Sequence, residues 1–167
     1  GYMPFVQTFG PFLCVRALDQ IHNDVAYNDY HVRLIGTHAG LSSGYGPTHN
    51  TIIEFAVMNA LPNMTMVAPC DAEQCKKLLR KSLNYSKPIY IRIPRGEEPL
   101  VYAADHEYEY EIGKAIVIQE GTDLNIIATG MGVYNAVQAA RQLEEKGYSV
   151  GVIDMHTIKP IDKDAIV

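Results

Sequence analysis

The chain has 167 residues, 47% of them hydrophobic and 20% charged, a balance that supports a packed core and excludes a disordered segment. A formal net charge of -5 offers no basic footprint for nucleic acid, although local groups can still hold a small anion. No apolar run is long enough to cross a bilayer, no signal-peptide pattern is present, and Cys14, Cys70 and Cys75 lack metal-ligand spacing, so they read as reduced thiols of a cytoplasmic protein. The sequence starts at Gly1 and stops at Val167 just after a helix-start signal, which reads as a piece of a longer polypeptide.

Residues 1–8 form a short strand around Phe5 and Val6 that enters a turn. From Pro11 the period changes: Phe12, Val15, Leu18, Ile21 and Val25 recur at three- and four-residue steps, which predicts one helix ending near Tyr27. Residues 32–36 read as an apolar strand. The loop from Gly36 to His49 follows, rich in glycine, with His38 and His49 near its ends and Pro47 between them. A loop between strand and helix opens at the carboxyl edge of a sheet, where α/β folds bind ligands. Thr51 with Glu54 fits a capping box, ahead of a helix face made by Ile52, Ile53, Phe55, Ala56 and Met58. Pro62-Asn63 turns into a strand at 64–68. Asp71 with Gln74 is a second capping-box candidate, opening a helix through Leu78, Leu79 and Leu83. A β-branched strand at 89–93 closes at Pro94-Arg95-Gly96. Alternating strands and helices predict an α/β fold with a parallel sheet.

Residues 97–111 differ. Glu97, Glu98, Asp105, Glu107, Glu109 and Glu111 accompany little apolar periodicity, and the stretch reads as a linker laid on the surface by Tyr102, Tyr108 and Tyr110. A second pattern then begins, with strands at 115–118 and 124–128 and a helix whose face is Val133, Ala136, Val137, Ala140 and Leu143, stopped by Gly147. A strand at 150–153 follows, and Pro160 fits the first turn of a further helix. The expected division is therefore one domain at 1–96, a linker at 97–111 and an incomplete second domain at 112–167.

Several residues carry candidate chemistry. His38 and His49 can donate, accept or hold a proton near neutral pH, or serve as exposed loop residues. Arg95, after a strand, suits a phosphate or carboxylate, and pairing with Glu97 or Glu98 is the alternative. Phe9 and Phe12 around Gly10-Pro11 can stack on a flat ring or pack into the core. Ser42 and Ser43 lack the setting of a nucleophile elbow and read as a solvated loop. Gly130-Met131-Gly132 resembles half of a dinucleotide fingerprint, but Asn135 stands where the third glycine belongs, and a tight strand-to-helix turn explains it.

Taken in order, Thr8-Phe9-Gly10-Pro11-Phe12, Thr37-His38, Gly46-Pro47-Thr48-His49, Leu61-Pro62-Asn63-Met64, Pro69-Cys70-Asp71, Arg95-Gly96 and Thr157-Ile158-Lys159-Pro160-Ile161-Asp162 resemble the transketolases over essentially the whole chain. The resemblance implies a thiamine diphosphate pyrimidine-binding domain with a parallel sheet, followed by the start of the transketolase C-terminal α/β domain. It implies that Phe12 stacks on the aminopyrimidine with Phe9 lining the same pocket. His49 then lies at the reacting carbon, and His38 and Arg95 bind the phosphate of a sugar phosphate substrate. It further implies two-carbon ketol transfer in carbohydrate metabolism by the pentose phosphate type of chemistry. Thiamine diphosphate and Mg²⁺ would be held with a diphosphate-binding domain or subunit, in a homodimer or heterotetramer. The family's cofactor-activating glutamate lies upstream of the Thr-Phe segment. Nothing in residues 1–8 matches it and Glu54 is not a substitute, so this chain alone is expected to be inactive. Tyr45 stands where the family carries an Asp, and Val15 where it carries an aromatic. A 1-deoxy-D-xylulose-5-phosphate synthase-like enzyme and a non-catalytic assembly or regulatory subunit are the alternatives.

Overall fold

The computed structural model describes residues 1–41, 44–96, 98–102 and 107–167, so the readings of Ser42, Ser43, Glu97 and Asp105 lie outside the described residues. By spatial clustering the chain forms two units. The first contains residues 1–67, 84–97 and 158–160, and the second contains 68–83, 98–157 and 161–167.

The first unit is built on a sheet with strand order β1-β2-β4-β3-β8, the strands being β1 (Phe5–Phe9), β2 (Arg33–Ala39), β3 (Thr65–Val67), β4 (Ile89–Pro94) and β8 (Thr157–Lys159). The β1/β2, β2/β4 and β3/β4 pairs are parallel, with Val6 opposite Leu34 and Leu34 opposite Tyr90. Parallel strands covered on both faces need near-continuous apolar runs, and Leu34, Ile35, Met66, Val67, Ile89 and Ile91 supply them. The core gathers Leu13, Cys14, Ile21, Ala26, Met58, Leu61 and Met64 around Leu34, Met66 and Tyr90. A fully buried Leu or Met contributes about 1.5–3 kcal/mol. Arg33 is fully buried as well. Its guanidinium donates to the carbonyls of Tyr85 at 2.6 Å and Lys87 at 2.9 Å, fixing the approach to β4 against the start of β2.

Two expected elements differ. The stretch after Pro11 is not one α-helix. It is π-helical at Phe12–Arg16, α-helical at α1 (Leu18–Gln20) and π-helical again at Ile21–Ala26. Ala17 N–H closes on the Phe12 carbonyl at 3.0 Å and Tyr27 N–H on His22 at 2.8 Å, five residues back. The wider turn moves the buried stripe to Leu13, Cys14, Ile21 and Ala26 and leaves Val15 exposed, off the expected face. The Thr51–Glu54 capping box does not form. Helix α2 (Glu54–Ala60) starts at Glu54 with no side-chain cap, and the Glu54 carboxylate is drawn inward to Arg92, 2.6 Å away. Thr51 Oγ1 instead accepts from Ile53 N–H at 3.3 Å, and Thr51 bridges Gly40 across the base of the loop.

The second unit has the sheet order β5-β7-β6, from β5 (Ile116–Gln119), β6 (Leu124–Ala128) and β7 (Val150–Asp154). β6 runs parallel to β7 and β5 antiparallel, so this sheet is mixed. Helix α4 (Gly132–Glu144) packs Ala136 and Ala140 onto Val150 and Val152. Helix α3 (Ala72–Ser82) opens on the predicted Asp71 cap. Gln74 N–H donates to Asp71 Oδ1 at 2.8 Å, and Gln74 Oε1 accepts from Cys70 N–H at 2.8 Å. Tyr102 and Tyr110 are buried rather than laid on the surface; Tyr102 packs with Cys70 and Val133, and Tyr110 stacks on His156 at 4.2 Å. Pro160 follows β8 and opens no helix. No helix among the described residues is long and apolar enough to cross a membrane.

Candidate functional site

The parallel sheet of the first unit ends its strands β1, β2 and β4 side by side, and the candidate residues follow from that. Phe9 is the last residue of β1, Phe12 lies in the π-helical turn immediately after it, His38 is near the end of β2, and Arg95 follows β4. His38 belongs to the strand and not to the loop expected from sequence. The β2/β4 register shifts between Gly36 and Ala39, and His38 takes φ 56, a left-handed conformation sparsely used outside glycine. Backbone strain of this kind concentrates at functional sites.

The residues singled out from sequence meet as one cluster. Ring centroids of Phe9 and Phe12 lie 5.6 Å apart, Phe9 and His38 4.1 Å, and Phe9 and His49 5.3 Å. His49 stands edge-on to Phe12 at 5.2 Å. Tyr45 stacks on Phe9 at 5.6 Å with an interplanar angle of 28°, and the Arg95 guanidinium lies 5.2 Å from the centre of the Tyr45 ring. Phe9, Phe12, His38 and His49 are half-buried, while Tyr45 and Arg95 are exposed. The cluster thus has an apolar floor and an open cationic rim.

Hydrogen bonds orient the imidazoles. Thr37 Oγ1 donates to the Thr8 carbonyl at 3.2 Å and sits 3.1 Å from His38 Nδ1. The hydroxyl has one proton and it is committed to Thr8, so His38 Nδ1 is the donor in that pair. A neutral His38 then presents a bare Nε2, and it donates to an anion there only as imidazolium. His49 Nδ1 lies 2.9 Å from Thr48 Oγ1. Arg16 was not singled out in the sequence. Its guanidinium covers the Phe12 ring at 4.2 Å and donates to the Thr48 carbonyl at 3.1 Å, tying the first helical stretch to the segment that carries His49. Its signal was its place four residues after Phe12, one turn on.

Beneath the cluster, Tyr90 and Glu54 are buried. Burial pushes the Tyr90 phenol well above its ordinary range, and its hydroxyl finds no hydrogen-bond partner among the described residues. It points at Gly36, where a Cβ would overlap it. Cys14 Sγ lies 3.6 Å from Thr51 Oγ1, and burial raises its thiol pKa, so it behaves as a core residue. Among the described residues no three His, Cys, Asp or Glu side chains gather as a metal-ligand set.

The structure is an α/β protein that gathers aromatic, imidazole and guanidinium groups at the carboxyl ends of its parallel strands, the edge where such folds bind ligands. Comparison with known proteins makes the class definite. Residues 1–99 match the family of the transketolase pyrimidine binding domain, and residues 113–167 match the transketolase C-terminal domain. The chain belongs to the transketolase family. It is 42% identical over 156 residues to a subunit of the apulose-4-phosphate transketolase of Phocaeicola vulgatus, covering 93% of this chain and 50% of that protein. A solved structure described as a split gene transketolase, inactive beta4 tetramer, matches with a TM-score of 0.90 and 36% identity, over 99% of this chain and 53% of that one. Similarity extends to the 1-deoxy-D-xylulose-5-phosphate synthase of Dictyoglomus turgidum, 34% identical over 97% of this chain and 26% of that protein. The chain spans about half the length of the first of these relatives.

Proposed function

We propose that this chain supplies the pyrimidine-binding half of a thiamine diphosphate-dependent transketolase, a cytoplasmic transferase that moves a two-carbon ketol unit between sugar phosphates. In this reading residues 1–96 are the pyrimidine-binding module, 97–111 a connection, and 112–167 part of the C-terminal module. The observation that carries it is the convergence of Phe9, Phe12, His38, His49 and Arg95 at the ends of β1, β2 and β4. The half-buried Phe9 and Phe12 suit the group chemically, as aromatic surface at a sheet edge against which a flat pyrimidine can stack, although Arg16 already lies over the Phe12 ring and Tyr45 against Phe9. Thiamine diphosphate, when bound, supplies the chemistry that breaks and forms a carbon–carbon bond beside a ketose carbonyl.

The chain's own residues bind, orient and carry protons. Phe9 and Phe12 hold the ring. His49, edge-on to both and reached by Thr48, is placed to hydrogen-bond a sugar hydroxyl and to move its proton. Arg95 offers a bidentate fork to the sugar phosphate. His38 adds a donor at Nε2 when it is doubly protonated. The diphosphate and Mg²⁺ would be held by a partner domain or subunit, in a homodimer or heterotetramer. The relatedness to a protein named as one subunit of a transketolase, and to a split gene transketolase described as an inactive tetramer, supports a division of labour between subunits.

The experiment mixes the full polypeptide that carries this chain with thiamine diphosphate and Mg²⁺, with and without a diphosphate-binding subunit, runs residues 1–167 alone beside it, and follows two-carbon transfer from a ketose phosphate. Transfer only in the complete mixture is expected; turnover by the chain alone would refute the division of labour. Similarity to 1-deoxy-D-xylulose-5-phosphate synthase supports a second reading, tested in the same mixture by carbon dioxide release from pyruvate. Failure of the complete mixture to bind the cofactor would favour the non-catalytic subunit.

A further inference from the structure

Arg16 is an exposed residue with two contacts that the functional reading does not use. Its guanidinium lies 4.2 Å from the centre of the Phe12 ring, and its Nη2 donates to the Thr48 carbonyl at 3.1 Å. Thr48 precedes His49, and its hydroxyl lies 2.9 Å from His49 Nδ1. Among residues 44–49 no side chain is fully buried, so burial does not fix where His49 stands. The turn closes on itself, with the N–H groups of His49 and Asn50 donating to the Gly46 carbonyl at 3.0 and 3.1 Å. Those bonds set its shape and not its place. The edge-on contacts of His49 with Phe9 at 5.3 Å and Phe12 at 5.2 Å are weakly directional. The bond from Arg16 to Thr48 is directional, and it leads to a stretch anchored in the core by Leu13 and Cys14. A guanidinium suits this task, because it rests on an aromatic face while donating in its own plane.

We propose that Arg16 is a positioning residue for His49. Seated on the Phe12 ring, it holds the Thr48–His49 turn against the aromatic floor, at the place from which the imidazole moves a proton. It acts through Thr48 and takes no part in the reaction itself. The inference rests on the ketol-transfer reading for what His49 does, but the tether is a property of this chain. Three variants separate its parts at an exposed position. Arg16→Ala removes the tether, Arg16→Lys keeps a cation and a donor, and Arg16→Met keeps only an apolar stem over the ring.

The test reads the turn and the reaction separately. Amide hydrogen exchange of the full polypeptide, without cofactor or substrate, follows the N–H groups of His49 and Asn50. Arg16→Ala is expected to speed their exchange about fivefold, the factor that a net hydrogen bond of about 1 kcal/mol represents, and to leave the amides of β2 and β4 unchanged. Arg16→Lys should recover most of the protection and Arg16→Met should not. Equal exchange in the wild type and Arg16→Ala, full protection in Arg16→Met, or faster exchange spread to β2 and β4 would each overturn the tether. In the complete enzyme, Arg16→Ala should lower kcat roughly fivefold at constant KM for the ketose phosphate, because a misplaced proton carrier costs the reacting state and not the bound one. A raised KM at constant kcat would make Arg16 a substrate contact. Tighter thiamine diphosphate binding by Arg16→Ala would show the guanidinium standing where the flat ring belongs. Either result overturns the proposal. Faster exchange in Arg16→Ala, together with no ketol transfer by the wild-type enzyme, would refute the transketolase reading and retain the tether.

Discussion

Gly36 sits where no side chain fits: a Cβ there would overlap the Tyr90 hydroxyl, which itself has no partner among the described residues. Gly36→Ala should therefore cost about 1–3 kcal/mol of stability by overpacking, read as a lower urea midpoint at constant slope. Tyr90→Phe removes the nearest clashing atom and an unsatisfied hydroxyl, so it should be close to neutral alone, and because the ring carbon behind the hydroxyl still lies 2.6 Å from the added Cβ it should restore only part of the loss in the double variant. An unchanged double variant would mean that the ring, not the hydroxyl, sets the limit. The Glu54–Arg92 pair gives a second case. Glu54 is 1% exposed, Arg92 Nε lies 2.6 Å from its Oε1, and its Oε2 has no partner among the described residues. Arg92→Leu leaves a buried carboxylate uncompensated and should cost about 3–5 kcal/mol. Glu54→Leu added to it should recover most of that, and a strictly additive double variant would deny the coupling. Neither pair was legible in the sequence, because Tyr90 and Arg92 meet Gly36 and Glu54 only through strand pairing and burial. The separate residues Phe9, Phe12, His38, His49 and Arg95 were legible, through their order and the glycines around them. Their convergence was expected only through the resemblance to the transketolases, since spacing along a chain does not report which strand ends lie side by side.

At the level of elements, local rules were readable and long-range ones were not. The Asp71–Gln74 cap of α3 forms as the sequence predicts because both partners lie within one turn. The Thr51–Glu54 cap fails because a guanidinium 38 residues away takes the glutamate. The helix after Pro11 misled because a period of 3.6 assumes α geometry, and the π-helical turns have another. The end of β7 carries a consequence for pH. Burial raises the Asp154 carboxyl from its ordinary 3.8 to about 6, although Gln74 and Tyr102 donate to it at 2.5 and 2.9 Å. Burial lowers His156 from 6.5 to about 4. Between roughly pH 4 and 6 the folded state holds more protons than the unfolded state at Asp154, so that group's contribution falls as pH rises. At His156 it holds fewer, so that contribution rises over pH 4 to 6.5. Each swing is roughly 3 kcal/mol, and the two oppose one another in the wild type. Asp154→Asn should expose the histidine and give stability that climbs with pH over this window. His156→Phe should expose the carboxyl and give stability that declines. Urea midpoints across the window measure both, and matching slopes in the two variants would refute the assignment.

The whole molecule is not divided where its sequence changes character. The family matches end at 99 and resume at 113, yet the first spatial unit takes in residues 158–160 and the second takes in 68–83. Within the first unit, β8 lies next to β3, and Lys159 Nζ donates to the carbonyls of Asn59 at 2.8 Å and Leu61 at 2.6 Å. Within the second, Asp71 Oδ2 accepts from the N–H groups of Val101 at 2.8 Å and Tyr102 at 3.0 Å, and Gln74 is fully buried on Asp154. A polypeptide cut at 97 therefore loses more than a neighbour. It keeps α3 but removes the groups that satisfy Asp71 and Gln74, and it leaves the β3 edge without β8. Each hydrogen bond so exchanged for water costs about 0.5–1.5 kcal/mol, and the apolar burial of α3 and the pairing of β3 with β8 go with them, a large fraction of the 5–15 kcal/mol that holds an ordinary domain folded. Residues 1–97 alone should accordingly show weak helical circular dichroism, poorly dispersed amide resonances and no sharp urea transition, while 1–167 unfolds cooperatively. A cooperative transition of 1–97 at the midpoint of the whole chain would mean that the first family module carries its own fold, and that the pairing of β8 contributes little to it.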